Sequence, residues 1–275
     1  LSGLVFMKYS LPSSASPEAK AICQLINQGL DPRKLFIAAI TFYGDALVRG
    51  KVGSSPFVVE SGLFQGMRLL SSALGSLLAP KIQGTYEKEV QDCLQLHADK
   101  FDRFLDVGCA EGFHLVGVAR WKKVPCFGVD IDKRAGDAVR RVAADNGVSG
   151  LVRFESDLSL AASFVSGCLL CLVDVDGSEI DVLKSLMSVF ETASDLENVI
   201  LIVESDFAGG KEQNSPEIIS LLTSDDWLVS SCLPQQPSSR FVGAKAGISF
   251  LDQVVWGSEG RSAGQSWIVA RKSFD

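Results

Sequence analysis

Asp106, Gly108, Ala110 and Gly112 fall within one stretch, Phe104-Leu-Asp-Val-Gly-Cys-Ala-Glu-Gly112. Apolar residues flank Asp106 and lead into a Gly108-x-x-x-Gly112 turn, and an apolar, helix-compatible run follows over residues 113–121. The pattern reads as a buried parallel strand, a tight turn and a helix N-terminus. Such a unit lets a nucleotide-type ligand approach the backbone, and free N–H groups at the helix start favour an anionic group. Asp130 stands 18 residues after Gly112, the spacing that one helix and one strand require. A carboxylate there can accept two ribose hydroxyls at once. Asp157, followed by Leu158, falls on the loop after a third strand, where a polar group can meet an adenine. The competing reading for Asp157 is a helix N-cap.

A second group of acids, Asp174, Asp176 and Glu179, follows an apolar run over residues 169–173, and Glu204 and Asp206 close another. Ligands bind at the carboxyl edge of a parallel sheet, so these acids are candidates for substrate chemistry. Crowded carboxylates can raise one another's pKa, orient a hydroxyl, or hold a divalent cation through oxygen. Asp174 is the first choice for a catalytic or orienting role, with Glu179 and Glu204 beside it. Glu179 also suits a bond to backbone near a helix start. No metal site is assigned, and two histidines, His97 and His114, are too few for a His-based zinc site. Cys168 and Cys171 form a C-x-x-C inside an apolar strand, where residues three apart point to opposite faces and read as packing.

A dinucleotide turn would read Gly-x-Gly-x-x-Gly. Ala110 replaces the second glycine and no third one stands at the required place, so a nicotinamide oxidoreductase is disfavoured. The acid in the strand and the altered turn point instead to S-adenosylmethionine.

The elements that must position these residues alternate. Strands are expected at 104–108, 126–130, 152–156, 169–176, 199–206, 227–233 and 266–271, with helices at 113–120, 134–146, 178–192 and 216–223. That alternation implies a parallel sheet with right-handed crossovers. A helix is expected over 85–98. Residues 234–266, rich in Gly, Ser and Gln, read as an insertion with a short strand at 248–255. Before residue 80 the chain reads as helical: 17–28, 32–46 and a Leu-rich third helix at 62–78, with a loop at 51–56.

The chain has 275 residues, 47% hydrophobic and 21% charged, with net charge −7. This suits a globular protein with a sizeable core and disfavours nonspecific nucleic-acid binding. Seven scattered cysteines do not form a disulfide framework, which points to a reducing, cytoplasmic setting. No apolar run reaches the length of a membrane span. The apolar start, residues 1–7, lacks the basic flank of a secretory signal, and the missing Met at position 1 suggests that the natural N-terminus lies further upstream.

Residues 104–271 resemble a class I S-adenosylmethionine-dependent methyltransferase: FLDVGCAEG, FGVDID and ESDL stand in the order and spacing of its cofactor signature. The segment LVDVDGSEIDVL (172–183) resembles the D-x-E-G-x-E-x-x-x-L element of FkbM-type methyltransferases, with Asp176 where that family usually has Glu. Gly84-Thr-Tyr-Glu-Lys-Glu89 resembles a G-T-Y-E element of related bacterial sequences that lies against the cofactor. Residues 258–261 and 265–267 resemble the tail of the same group.

The resemblance spans about residues 82–271. It implies a Rossmann-like methyltransferase fold: a seven-stranded, mostly parallel sheet with helices on both faces. It assigns the cofactor to Tyr86, Glu87, Asp106, Gly108, Cys109, Ala110, Gly112, Asp130, Ile131, Asp157, Leu158 and Asp174. The expected activity is O-methylation of a small-molecule or sugar-like hydroxyl. A non-catalytic binding or assembly protein with the same fold is the alternative. Residues 1–80 form a helical extension serving as lid, substrate wall or dimer face, and residues 81–275 the cofactor domain.

Overall fold

Apolar strands alternate with helices from residue 103 onward, as the pattern requires. A computed structural model describes residues 13–14, 17–52, 57–71, 74, 76–205, 207–208, 212–235, 250–259 and 265–274. Helices α1 (Pro17–Asn27) and α2 (Pro32–Val52) come first. A short hairpin of β1 (Phe57–Val58) and β2 (Arg68–Leu69) follows, then α3 (Leu78–Gln83) and α4 (Lys88–Leu96). The main alternation runs β3 (Arg103–Val107), α5 (Phe113–Lys122), β4 (Cys126–Val129), α6 (Lys133–Asp145), β5 (Val152–Glu155), β6 (Gly167–Val173), α7 (Glu179–Thr192) and β7 (Leu196–Ser205). After a small ribbon, β8 (Phe207–Ala208) and β9 (Glu212–Gln213), come α8 (Ser215–Ser224), β10 (Leu228–Pro234), α9 (Phe250–Gly257) and β11 (Ser266–Ser273).

Seven strands form one sheet in the order β10-β11-β7-β6-β3-β4-β5. Neighbours from β7 to β5 are parallel, and β11 runs antiparallel to both β7 and β10. The order reverses between β3 and β6, so both strands point their carboxyl ends at one crevice. This is the Rossmann-like methyltransferase fold.

Period-two alternation divides the strand side chains between two cores. Phe104, Leu170, Leu172, Ile200, Ile202, Trp267 and Val269 face α4, α5 and α6. Leu105, Val107, Cys171, Val173, Leu201 and Val203 face α7 and α8. Each such side chain fully removed from water contributes about 1.5–3 kcal/mol. The first core also takes in Phe57, Val59, Phe64, Met67, Leu69 and Ile82, so the chain from residue 57 packs on the same layer as α5 and α6. Gly117 permits this: a Cβ there would lie 2.7 Å from the Phe64 ring.

Two expected elements differ. No helix spans 62–78. Gly62 and Gly66 adopt φ of +77° and +80° and build a turn, and Met67 and Leu69 are buried around exposed Arg68 with strand periodicity. Helix begins only at Leu78, and residues 72, 73 and 75 lie outside the described set. The strand expected at 248–255 is helix α9. Phe250, Leu251, Val254 and Val255 recur at helical spacing. Residues 248–249, like 53–56 of the expected loop, 1–7 at the start and most of the 234–266 insertion, lie outside the described residues.

Candidate active site

The turn after β3 is built from left-handed backbone: φ is +87° at Gly108, +46° at Ala110 and +86° at Gly112. Gly108 and Cys109 donate their N–H groups to the Val129 carbonyl, at 2.8 and 3.2 Å. A Cβ on Gly108 would fall 1.6 Å from the Asp174 carbonyl oxygen, so only glycine lets β3 and β6 end side by side. Asp130 secures the turn from the next strand. One carboxylate oxygen accepts the Ala110 N–H and the other the Asp132 N–H, each at 2.8 Å. Each oxygen keeps a lone pair for a further donor. Beside it Ile131 is 91% exposed, an apolar side chain standing in water at the carboxyl edge. Asp157 accepts the Ser159 N–H at 2.9 Å and caps the short helix Leu158–Ser163. That hydrogen bond holds its carboxyl below the usual range. Leu158 packs against the core on the α7 side.

Beneath the turn lies a buried ionic layer. Asp106 is 3% exposed. Burial drives its pKa up to about 7; His114 opposes the rise, while Glu87 and Asp130 add to it. Glu87 Oε2 lies 2.7 Å from His114 Nε2 and accepts the ring N–H, and both side chains are buried. His114 sits among the rings of Phe64, Tyr86 and Phe113, with centroids 5.2–6.0 Å away. Glu87 itself holds φ +46°, and its N–H donates to Glu259 at 2.7 Å. A non-glycine residue in that region costs roughly 1–3 kcal/mol and persists where its surroundings over-determine it. Here Gln91 adds to the constraint, donating to the Gly84 and Tyr86 carbonyls at 3.3 and 2.7 Å. Lys81, 2% exposed, pairs with Glu111 of the turn and lies 4.6 Å from the Tyr86 ring centroid. The other Glu111 oxygen accepts the Leu74 N–H at 3.0 Å.

The third group lies along the strand ends. Asp106, Asp174 and Glu204 continue the rows Phe104, Leu170–Leu172 and Ile200–Ile202, all on the α5 face. Carboxylate oxygens of Asp174, Asp176 and Glu204 come within 4.8 Å of one another, a spacing compatible with a hard divalent cation. Asp176 is exposed at φ +49°, Asp174 half-buried and Glu204 fully buried. Glu179 is fully buried, and both its oxygens are engaged: one accepts the Gly177 N–H at 2.7 Å, the other the Asn214 amide at 2.8 Å. It ties the loop after β6 to the start of α8. Asp206 lies outside the described residues.

No protein-family model and no curated protein matches the chain. Solved structures do. The cyclase SpnF matches with a TM-score of 0.48 and 15% identity, over 68% of this chain and 83% of its own. Geranyl diphosphate C-methyltransferase from Streptomyces coelicolor A3(2), crystallised with Mg2+, geranyl diphosphate and S-adenosyl-L-homocysteine, gives 0.45 and 14%, over 68% and 78%. The ribosomal protein L11 methylase of Lactobacillus delbrueckii subsp. bulgaricus gives 0.41 and 13%, over 66% and 77%. Likeness at this level concerns the fold; a reaction is argued from the site.

The structure thus brings Tyr86, Glu87, Asp106, Gly108, Cys109, Ala110, Gly112, Asp130 and Asp174 to one end of the sheet. Ile131, Asp157 and Leu158 lie on the loops after the neighbouring strands β4 and β5. Sequence reasoning missed three partners: Lys81, Glu111 and Asn214. A lysine inside the otherwise apolar run LLAPKI and an acid inside the glycine turn were the available signals.

Proposed function

We propose that the chain is an S-adenosylmethionine-dependent methyltransferase, FkbM-like, acting on oxygen of a small or sugar-like hydroxyl acceptor. The observation that carries this reading is the charge around the glycine turn. Asp106, Glu87, Asp130, Asp174 and Glu204 surround it, and burial, with Glu87 and Asp130 adding to it, holds the Asp106 carboxyl near pKa 7. A pyrophosphate would be repelled there, whereas a ligand bearing an ammonium, a sulfonium and ribose hydroxyls fits. Asp130 would take the ribose, Ile131 and Leu158 the adenine faces, and Asp157 its polar edge. Asp106 and Glu87, with Tyr86 above, would take the ammonium. Bound S-adenosylmethionine supplies an electrophilic methyl group on sulfur.

The chain's own contribution is positioning and proton management. Asp174, half-buried at the end of β6, is placed to accept the acceptor's hydroxyl proton as its oxygen becomes nucleophilic. Glu204, beside it, orients the hydroxyl. Glu179 acts at one remove, fixing the loop after Asp174 through Gly177 and the α8 start through Asn214.

A reducing, cytoplasmic setting belongs to the same reading and is supported by seven free thiols. Among the described residues no helix is long and apolar enough to cross a membrane. A homodimer through the N-terminal helices is supported by Phe36 and Tyr43, which α2 exposes two turns apart.

The test is titration calorimetry with S-adenosylmethionine and S-adenosylhomocysteine, and NADH as control. Binding of the first two, lost in Asp130→Lys, is expected. A folded protein that binds neither overturns the proposal and favours the binding or assembly role.

A further inference from the structure

The chain between β10 and β11 leaves and rejoins the sheet at its carboxyl edge. Pro234 ends β10 opposite Ser266, which opens β11 and pairs with Ser205 at the end of β7. The Gln235 N–H closes the base of this excursion on the Gln265 carbonyl at 3.0 Å. Within the excursion, α9 docks on α2 and α3. Val255 is buried against Ile40 of α2 and against Leu77, the residue before α3. The Tyr43 hydroxyl of α2 donates to Asp252 of α9 at 2.6 Å.

Two residues past α9, Glu259 reaches the buried ionic layer. Its Oε1 accepts the Glu87 N–H at 2.7 Å. Glu87 is the N-cap of α4 and makes no side-chain cap bond of its own; its carboxylate meets His114 instead. In a capping box, the N-cap N–H is met by a Glu or Gln three residues on. Here that place is held by Val90, which lies in the core and offers no acceptor. Glu259, 172 residues away in sequence, supplies the acceptor in its stead. Glu87 depends on such support, because its φ of +46° is disfavoured for any residue with a Cβ. The N–H on Glu259 and the carboxylate on His114 thus grip Glu87 from two sides.

We propose that Glu259 is a positioning residue for the ammonium end of the cofactor site, acting through Glu87. By accepting the N–H it holds Glu87 in left-handed backbone. That conformation keeps the carboxylate on His114 and close enough to Asp106 to raise its pKa. The inference rests on the proposed function for the identity of the ligand; the grip on Glu87 does not depend on any ligand. Glu259 thereby makes the excursion between β10 and β11 part of the site, although no residue of the glycine turn comes from it.

The test compares Glu259→Ala, which removes the acceptor, with Glu259→Gln, which keeps a neutral one. The presence of two histidines gives a direct readout, because their imidazole NMR signals can be assigned with His97→Gln. In Glu259→Ala the His114 signals should shift, while those of His97, at the far end of α4, stay in place. Glu259→Gln should leave both where the wild type has them. Calorimetry with S-adenosylhomocysteine should show about tenfold weaker binding in Glu259→Ala and recovery in Glu259→Gln. Glu87→Gly takes the left-handed backbone without help and has no carboxylate to aim. Adding Glu259→Ala to it should therefore change the affinity no further. Unmoved His114 signals in Glu259→Ala overturn the proposal. So does an equal loss of affinity in Glu259→Gln, which would make the charge and not the hydrogen bond its contribution. A full additional loss in the Glu87→Gly background overturns the route through Glu87. A wild type that binds no S-adenosylhomocysteine sinks the proposed function instead, and the His114 signals then decide on Glu259 alone.

Discussion

Asp106→Asn is the substitution whose effect the structure specifies most closely. The native carboxyl holds its proton to about pH 7, against 3.8 for an unperturbed one. Between those values the folded protein keeps a proton that the unfolded chain has released. Stability is therefore full below about pH 4 and falls as pH rises through 7. Three pH units at about 1.36 kcal/mol each give a loss on the order of 4 kcal/mol. Asparagine has the same shape and no charge to bury, so the variant escapes this loss. Urea unfolding of both proteins from pH 4 to pH 8 reads the difference directly, since other titrating groups are common to both. The variant should match the wild type near pH 4 and exceed it by several kcal/mol at pH 8. Under the proposed function, an ammonium beside Asp106 stabilises its ionised form. Cofactor affinity should then rise through pH 7 in the wild type and stay flat in the variant. Stability curves that run parallel across the whole range would falsify the account of Asp106.

Gly108→Ala combines a left-handed backbone with a Cβ 1.6 Å from the Asp174 carbonyl oxygen. It should cost roughly 3 kcal/mol or more, and an unchanged melting temperature would contradict the close approach of β3 and β6. Lys81→Met leaves Glu111 charged, buried and without its cation, for a loss of about 3–5 kcal/mol. The double variant Lys81→Met with Glu111→Gln keeps an acceptor for the Leu74 N–H and should recover most of that stability in thermal unfolding; failure to recover would contradict the uncompensated Glu111 charge as the source of the loss. Asn214→Ala should remove about 1–3 kcal/mol by stripping an amide from buried Glu179. In an acceptor assay it should lower kcat more than it weakens cofactor binding; equal losses in both would dismiss the positioning role of Glu179.

The sheet and its site edge were legible because three strands advertise themselves in the same way. FLD, CLVD and LIVE each run apolar and end in an acid, and period two then puts Asp106, Asp174 and Glu204 on one face. The glycine turn and Asp130 were equally readable, since their spacing is set by one helix and one strand. What was not legible depends on contacts distant in sequence. Residues 62–78 carry enough leucine for a helix, but Phe64 is claimed by the notch at Gly117 and Met67 by the core beside α6. Lys81 acquires meaning only when Glu111, thirty residues on, turns inward to meet it.

The placement of β11 has a consequence for how the molecule comes into being. It lies between β7 and β10, yet it follows every other strand of the sheet in the chain. Until residues 266–273 dock, β7 and β10 each present an open row of unpaired N–H and C=O groups. β7 is ten residues long and apolar on both faces over residues 199–203, so it is an inviting template for a foreign strand. The last strand thus acts as a keystone: the half-built sheet is at its most vulnerable beside Glu204, and assembly and protection arrive in the same step. Refolding yield should accordingly fall steeply with protein concentration, and a peptide of the β11 sequence added in trans should compete for that slot.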